Sequence, residues 1–370
     1  MKLILKSILV WCFMLPFINV EAANIAVIAP KLGNMAKYGN ELIDGVQIAV
    51  DILNQNGGLL GEKIKLITVD DRCEDSFAVS AAQMMSLNSS RKDKIDLVIG
   101  PFCNNAFDKI SSIYADGKIV RIVPMPLSAG DNSINRLGLF KIGGLVSDEA
   151  REFFDFYKNK FVGKKLAMVY DSYIPQTTET AFEVQELFRS QGISNKLTLY
   201  DVSDYGKKYR QMAKEILLNN QVVYVLSNEK NISKLVQELQ EEKQDVIILV
   251  DEYMANSYLF RELGNFVEGI YLFALKNFKD SPEFTEELVE LRLEGKEPKG
   301  LGLYGYAMLK LWSQMVEKTK STDFDKISNI NYSQQFLMPW GSVNFQAGNI
   351  SKTAGYTVYQ IKNGEYMPVN

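Results

Sequence analysis

Cys73 and Cys103 carry the most distinctive chemistry in this sequence. Each follows an apolar run with the length of a strand, residues 65–69 before Cys73 and residues 96–99 before Cys103. In an oxidising compartment two such thiols form a disulfide, although two buried free thiols are the alternative. We favour the disulfide, which would close the loop from 73 to 103 and stabilise the fold by about 3.5 kcal/mol.

The first 22 residues have the pattern of an export signal. Lys2 and Lys6 precede an apolar stretch from Ile8 to Val20, and the small residue Ala22 follows it. We expect cleavage near Ala22, which would also remove the third cysteine, Cys12. The apolar stretch is too short to span a membrane, and no later run approaches about 18 apolar residues. We therefore expect an exported chain without a stable membrane insertion.

Composition disfavours several classes of function. The chain has 370 residues, no histidine and a formal net charge of −4. Without histidine, Ser-His-Asp and Cys-His catalysis are excluded and a transition-metal site is disfavoured. The acidic balance gives no basis for nucleic-acid binding. We predict that the protein is not an enzyme and has no catalytic residues, no metal and no cofactor.

The apolar pattern predicts an α/β fold of two doubly wound lobes. Strand-length runs alternate with segments of helical period in two successive series, which is typical of parallel sheets with crossover helices. A helix at 305–318 and a β-rich tail at 343–361 follow, so we expect the chain to return to the first lobe. The predicted elements are 24–29, 36–55, 64–69, 75–87, 95–99, 104–115 and 119–123 in the first series, and 147–161, 166–170, 177–191, 197–200, 207–218, 222–226, 231–241 and 246–250 in the second.

The carboxyl ends of the strands indicate where a ligand would bind, because loop amides and helix N-termini converge there in open α/β sheets. In this sequence the segments that follow strands are 30–40, 70–75, 100–105, 124–131, 171–178, 227–231 and 251–256. Both Cys73 and Cys103 fall within this set, which indicates that they lie beside the ligand.

Motifs along almost the whole chain resemble one known family. They are Ile25-Ala-Val-Ile-Ala-Pro, Gly33-Asn-Met-Ala-Lys-Tyr-Gly-Asn-Glu-Leu-Ile-Asp-Gly, Asn54-Gln-Asn-Gly-Gly-Leu-Leu-Gly, Val69-Asp-Asp-Arg-Cys, Val98-Ile-Gly-Pro-Phe-Cys-Asn-Asn, Asp251-Glu-Tyr-Met-Ala-Asn and Phe345-Gln-Ala-Gly-Asn. Together they resemble the periplasmic type I solute-binding proteins of the leucine/isoleucine/valine class, which deliver ligands to ABC importers.

The resemblance implies two lobes that close over a small ligand around a three-segment hinge. It implies crossings near 142–145, 274–277 and 354–358, a first lobe of 23–142 plus 275–354, and a second lobe of 143–274 plus 355–370. A periplasmic location, an ABC transporter permease as partner and a monomeric state are further expectations.

The resemblance assigns the first-lobe ligand contacts. Asn104 and Asn105 stand where a helix begins, so their roles include capping that helix and donating to a ligand carboxylate. Cys103 belongs to the same wall. Leu127 falls where the family usually has a hydroxyl residue, with Ser128 next to it, so either Ser128 contacts the ligand or one polar contact is missing.

A carboxylate and several aromatic residues complete the predicted site. Glu252 matches the family's acidic counter-ion for a ligand ammonium, with a solvated loop carboxylate as the alternative and Asp251 as the second choice for the role. Tyr38 matches an aromatic residue of the side-chain pocket. We add Tyr173 and Tyr304 as further aromatic candidates, and list Ser227, which follows a second-lobe strand, as a weaker polar one.

The expected function is periplasmic capture of a small amino acid, branched-chain or otherwise apolar, by hinge closure. Because Leu127 interrupts the amino-acid pattern, the alternative is the same fold holding a different ligand such as a carboxylate, an amide or a urea.

Overall fold

A computed structural model gives the fold of the protein. The residues that it describes are 23–33, 35–87, 94–103, 107–123, 137–142, 146–243, 245–251, 263–275, 282–296, 298, 301–330, 334–339, 341–346, 350–351, 356–363 and 365–369. Among these residues, no helix combines the length and the apolarity that crossing a bilayer would require.

Strands and helices alternate along the described chain. The strands are β1 (Asn24–Ile28), β2 (Lys65–Val69), β3 (Leu97–Ile99), β4 (Val120–Val123), β5 (Leu139–Lys141), β6 (Leu166–Tyr170), β7 (Leu197–Asp201), β8 (Val222–Val225), β9 (Ile247–Asp251), β10 (Tyr271–Leu275), β11 (Phe336–Met338), β12 (Gly341–Val343), β13 (Phe345–Gln346), β14 (Ile350–Ser351), β15 (Tyr356–Lys362) and β16 (Glu365–Pro368). The helices are α1 (Ala36–Gln55), α2 (Asp75–Leu87), α3 (Phe107–Asp116), α4 (Val146–Lys160), α5 (Pro175–Ser190), α6 (Val202–Tyr205), α7 (Tyr209–Asn219), α8 (Glu229–Glu242), α9 (Pro282–Leu293), α10 (Gly302–Thr319) and α11 (Phe324–Ser328).

Two seven-stranded sheets organise these elements. The first sheet has the order β13-β14-β5-β4-β3-β1-β2 and the second has the order β16-β15-β10-β9-β8-β6-β7. Six consecutive strands run parallel in the first sheet and five in the second, and in each sheet the strand order reverses around its first strand. This is the doubly wound arrangement, and it confirms the predicted α/β class.

Among the described strands, the chain changes from one sheet to the other three times, after β5, after β10 and after β14. Residues 143–145, 276–281 and 352–355 in these passages lie outside the described residues. The third passage comes slightly earlier than the predicted 354–358, because Tyr356 already pairs with Leu275 in the second sheet.

Some short elements are absent from the sequence-based prediction. β5 is three residues long and includes Lys141, a charged residue that interrupts the apolar run by which a strand is recognised in a sequence. In the structure Lys141 is nevertheless fully buried. Helices α9 and α11 and the β11–β12 hairpin also escaped prediction. The predicted helix 104–115 is α3 over its described part, and residues 104–106 lie outside the described residues.

Helices α1 and α10 pack together through glycine. Leu42, Val46 and Ala49 give α1 a buried stripe at helical spacing, and Gly45 lies within that stripe. A Cβ atom on Gly45 would lie 1.8 Å from the carbonyl oxygen of Gly302 in α10. The backbones of the two helices therefore approach each other at a distance that no larger residue permits.

Replacing Gly45 by Ala should lower the free energy of unfolding by about 2 kcal/mol or more, because backbone must move to admit the methyl group and this outweighs the better helix propensity of Ala. Chemical denaturation measures the change. Asp44→Ala is the matched control, because Asp44 is the exposed neighbour on the same helix and its loss should change stability by less than about 0.5 kcal/mol. Equal stabilities for the two variants would contradict the close packing.

Candidate functional site

A disulfide joins the loops at the carboxyl ends of β2 and β3. Cys73 and Cys103 are bonded, with their Cα atoms 5.3 Å apart, which confirms the predicted pairing. Because β1 lies between β2 and β3 in the sheet, the bond passes across the carboxyl end of β1. It fixes the separation of two loops at the edge where ligands bind in this class of fold.

Two aspartates shape the turn that carries Cys73. Asp70 Oδ1 accepts hydrogen bonds from the backbone N–H groups of Lys31, at 2.9 Å, and Arg72, at 3.0 Å. Desolvation opposes its ionisation, but these donors outweigh that effect and lower the pKa of Asp70. Asp71 Oδ1 accepts from the backbone N–H of Cys73 at 3.1 Å. The pair of carboxylates thus holds the disulfide turn against the end of β2.

Asp71 is the buried carboxylate of this turn. Its side chain is fully buried, and its Oδ2 atom has no hydrogen-bond partner among the described residues. Desolvation by burial raises the pKa of Asp71 from 3.8 to about 6; the N–H of Cys73 opposes this shift and the charge of Asp70 adds to it. The carboxyl group is therefore more easily protonated in the folded protein than in the unfolded chain.

This raised pKa predicts a pH dependence of stability. Protonation of Asp71 favours the folded state, so its contribution is fully present below about pH 4 and is lost as the pH rises through about 6. The difference in unfolding free energy between the wild type and Asp71→Asn should shift against the wild type by up to about 3 kcal/mol between pH 4 and pH 7.5. Denaturant titrations across this range measure it, and a constant difference would contradict the assignment.

A buried arginine braces the loop that carries Cys103. Arg121 of β4 is 1% exposed, and its Nε atom donates to the carbonyl oxygen of Gly100 at 2.7 Å. Its Nη1 atom donates to Ser111 Oγ of α3, also at 2.7 Å, and its guanidinium lies 5.8 Å from the ring centre of Tyr114. Burial raises the pKa of Tyr114, so the phenol stays neutral beside the arginine. Arg121 thus connects the end of β3 to the helix that follows it.

Tyr38 and Phe102 form the aromatic part of the first-sheet edge. Their ring centres are 6.3 Å apart with an angle of 7° between the planes, and both side chains are almost fully buried. Phe102 directly precedes Cys103, so this stack joins the first turn of α1 to the disulfide loop. Tyr304 is buried in α10, within the same hydrophobic cluster as Tyr38. The structure therefore places these two predicted aromatic residues on the two helices that meet through Gly45.

The edge of the second sheet is polar. Tyr173 follows β6 and is 86% exposed, whereas Ser227 follows β8 and is fully buried. The Ser227 hydroxyl donates to Asp171 Oδ2 at 2.8 Å, and the backbone N–H of Tyr173 donates to Asp171 Oδ1 at 3.1 Å. Both predicted residues thus bind the same carboxylate, and only Tyr173 offers its side chain to solvent in this conformation.

Half of the predicted site falls on residues that the structure does not describe. Asn104, Asn105, Leu127, Ser128 and Glu252 lie outside the described residues, and their roles stay predictions. Among the described residues, no group of His, Cys, Asp or Glu side chains is arranged to hold a metal ion.

Sequence reasoning missed Asp171 and Arg121, which organise the two edges. Asp171 stands in the segment 171–178 that follows a strand, and this position is the signal by which it could have been found. Arg121 lies inside a four-residue strand, where a charged residue is usually taken to point into solvent. Its burial follows from the three-dimensional placement of Gly100 and Ser111.

Comparisons with known proteins agree on one family. A family model described as periplasmic binding protein matches residues 22–365. A leucine-, isoleucine-, valine-, threonine- and alanine-binding protein of Pseudomonas aeruginosa is 22% identical over 344 residues, covering 92% of this chain and 90% of that protein. The crystal structure of a leucine binding protein from Thermotoga maritima has a TM-score of 0.78 at 20% identity, covering 94% of this chain and 98% of that one. A solute binding protein from R. palustris in complex with benzoate has a TM-score of 0.76 at 18% identity, covering 94% and 96%.

Proposed function

We propose that this chain, which belongs to the periplasmic binding protein family, is the substrate-binding protein of an ABC importer. Its proposed ligand is a small amino acid with an apolar side chain. The observation that carries the proposal is the pair of doubly wound sheets with three chain passages between them. Such an arrangement lets two lobes rotate about a hinge and close over a ligand. We propose lobes of 23–142 plus 275–354 and 143–274 plus 355–370, a division that the sheet membership of the strands supports everywhere except at Leu275, which pairs in the second sheet.

Ligand binding begins at the first lobe, whose wall is preorganised. The disulfide, the Asp70–Asp71 turn and Arg121 hold the loops after β2 and β3. We assign the ligand carboxylate to Asn104 and Asn105 and the apolar side chain to the surroundings of Tyr38 and Phe102. A wall that does not have to order itself on binding loses little entropy when it takes up its ligand.

Closure brings the second lobe onto the bound ligand. In our proposal Glu252 pairs with the ligand ammonium and Tyr173 adds an aromatic contact from the turn after β6. Ligand shifts the equilibrium between open and closed forms by its higher affinity for the closed form. The family consists of binding proteins rather than enzymes, and the ligand leaves chemically unchanged.

The names of relatives support an amino acid as ligand. The Pseudomonas aeruginosa relative is named for binding leucine, isoleucine, valine, threonine and alanine, and it aligns with most of this chain. A second candidate ligand is an aromatic or aliphatic carboxylic acid. It is favoured by Leu127 at the position where the family has a hydroxyl residue, and by the benzoate bound to the R. palustris protein.

A thermal-shift screen on ligand-stripped protein tests the proposed function. L-leucine, L-isoleucine and L-valine should stabilise the protein by about 2.7 kcal/mol at a concentration one hundred times Kd, with a matching rise in Tm. Benzoate and L-leucinamide are the comparison compounds. A shift with benzoate alone would replace the amino acid by the carboxylic acid, and no shift with any of these compounds would contradict both candidates.

The proposed setting is the periplasm of a bacterial cell, with an ABC transporter permease as partner and a monomer as the working form. The export pattern that ends near Ala22 supports this location. Determination of the N-terminal residue of the protein recovered from the periplasmic fraction tests it, and a chain that retains Met1 in the cytoplasm would contradict it.

A further inference from the structure

We propose that Asp171 is a positioning residue for ligand binding, because its carboxylate fixes the turn that presents Tyr173 at the edge of the second sheet. This inference rests on the proposed function and adds to it a residue that touches no ligand itself. Asp171 directly follows β6 and is 3% exposed, so its own side chain cannot reach a ligand in the cleft.

Asp171 builds the turn in which Tyr173 stands. Its Oδ1 atom accepts from the backbone N–H of Tyr173 at 3.1 Å, and its backbone carbonyl accepts from the N–H of Ile174 at 2.8 Å. Its own N–H donates to Thr177 Oγ1 at 3.0 Å, and that hydroxyl donates to the Asp171 carbonyl at 2.9 Å. One residue therefore fixes both the turn after β6 and the first turn of α5.

The second carboxylate oxygen ties this turn to the next strand along the sheet. Asp171 Oδ2 accepts from Ser227 Oγ at 2.8 Å and from Asn231 Nδ2 at 3.1 Å, with Asn228 Nδ2 at 3.5 Å. Asn231 Nδ2 also lies 2.9 Å from Ser227 Oγ, and Asn231 Oδ1 accepts from the Tyr209 hydroxyl at 2.8 Å. The end of β8, the first turn of α8 and the first turn of α7 are thus connected to the Tyr173 turn.

Different contacts hold the loops at the carboxyl edges of the two sheets. β6 and β8 occupy the places in the second sheet that β1 and β3 occupy in the first, because both sheets have the same order. In the first sheet the disulfide Cys73–Cys103 joins the loops after β2 and β3, whose counterparts in the second sheet are β7 and β8. In the second sheet hydrogen bonds to one buried carboxylate join the ends of β6 and β8, and charge-assisted hydrogen bonds are among the stronger non-covalent contacts.

The side chain of Tyr173 is exposed at the end of this hydrogen-bond network. The ring is 86% exposed although the backbone beneath it is held by several hydrogen bonds. An exposed aromatic ring on a fixed turn is available to a partner surface, and the proposed partner is the ligand with the facing lobe. Preorganisation of such a contact raises affinity by reducing the ordering that binding requires.

A double-mutant cycle in ligand affinity tests the proposal, with L-leucine as the probe. Asp171→Asn keeps the size of the side chain but points an NH2 group at donors, so it should weaken L-leucine binding about tenfold or more. In a Tyr173→Ala background the same substitution should change affinity by less than about twofold, because the residue that Asp171 positions is absent. Equal losses in both backgrounds, or no loss of affinity in Tyr173→Ala, would overturn the proposal.

Asp323→Asn is the control, because Asp323 also accepts a backbone N–H at a helix start, that of Lys326 in α11, but lies far along the chain from the second-sheet edge. It should leave the affinity for L-leucine unchanged. If Asp171→Asn does not fold, Asn231→Ala removes one donor, keeps the carboxylate and should show the same dependence on Tyr173 with a smaller loss.

Hydrogen exchange separates this inference from the proposed function. Asp171→Asn, or Asn231→Ala in its place, should speed the exchange of backbone amides in 172–177 and in 227–232 together and leave the first sheet unchanged. Unchanged exchange in these two segments would overturn the proposal whether or not L-leucine binds. Joint acceleration in a protein that binds none of the screened amino acids would support the positioning role and would count against the amino-acid ligand alone.

Discussion

Replacing Arg121 by Met is expected to lower the free energy of unfolding by about 4 kcal/mol. The guanidinium is buried and donates at 2.7 Å both to the Gly100 carbonyl and to Ser111 Oγ. A methionine of similar length would leave both acceptors without this donor inside the protein, and an unmade buried hydrogen bond costs about 1–3 kcal/mol. Two such buried hydrogen bonds together give the expected loss of about 4 kcal/mol.

The measurement is urea denaturation at constant pH, with two comparison variants. Arg121→Lys keeps the charge but cannot reach both acceptors with a planar group, so it should recover only part of the loss. Arg189→Ala removes an exposed arginine that pairs with Glu186, and it should change stability by less than about 1 kcal/mol. A loss below 1 kcal/mol for Arg121→Met would show that the loop does not depend on this side chain.

Replacing Glu252 by Ala is expected to weaken L-leucine binding about a hundredfold. In the proposed closed form this carboxylate pairs with the ligand ammonium away from water. Removing one partner of such a pair leaves the other charge buried and unpaired, which costs about 2–5 kcal/mol. Isothermal titration calorimetry on ligand-stripped protein measures the change.

The size of this loss should depend on the ammonium group. 4-Methylpentanoate has the same carbon skeleton as leucine without the amine, so Glu252→Ala should not weaken its binding and should strengthen it, because in the wild type the Glu252 carboxylate would be buried without a partner. Glu241→Ala is the matched control, because Glu241 is exposed on α8 and should leave L-leucine binding unchanged. Equal weakening of leucine and its des-amino analogue would remove Glu252 from the ammonium site.

Periodicity predicted most of the fold. The helix 36–55 was predicted with the bounds that the structure has, because Leu42, Val46 and Ala49 place apolar residues on one face over several turns. The strand ends were also placed within a few residues. Elements without such a pattern were missed, as in β5, whose buried Lys141 reads as a surface residue in the sequence.

The site was less accessible to sequence reasoning. The disulfide could be predicted, because the thiols follow two strands whose carboxyl ends meet at one edge. Ser227 was placed at the correct strand end, but the direction of its hydroxyl depends on Asp171, which is 56 residues away in the sequence. Contacts between distant segments, such as that of Arg121 with Gly100, leave no periodic signal and emerge only from the folded chain.

Small-angle X-ray scattering during a titration with L-leucine tests the central claim, capture of an amino acid by hinge closure, most directly. If the hinge closes, the radius of gyration of the ligand-stripped protein falls as leucine is added and reaches a plateau at one ligand per chain. A radius of gyration that stays constant up to saturating leucine would contradict it.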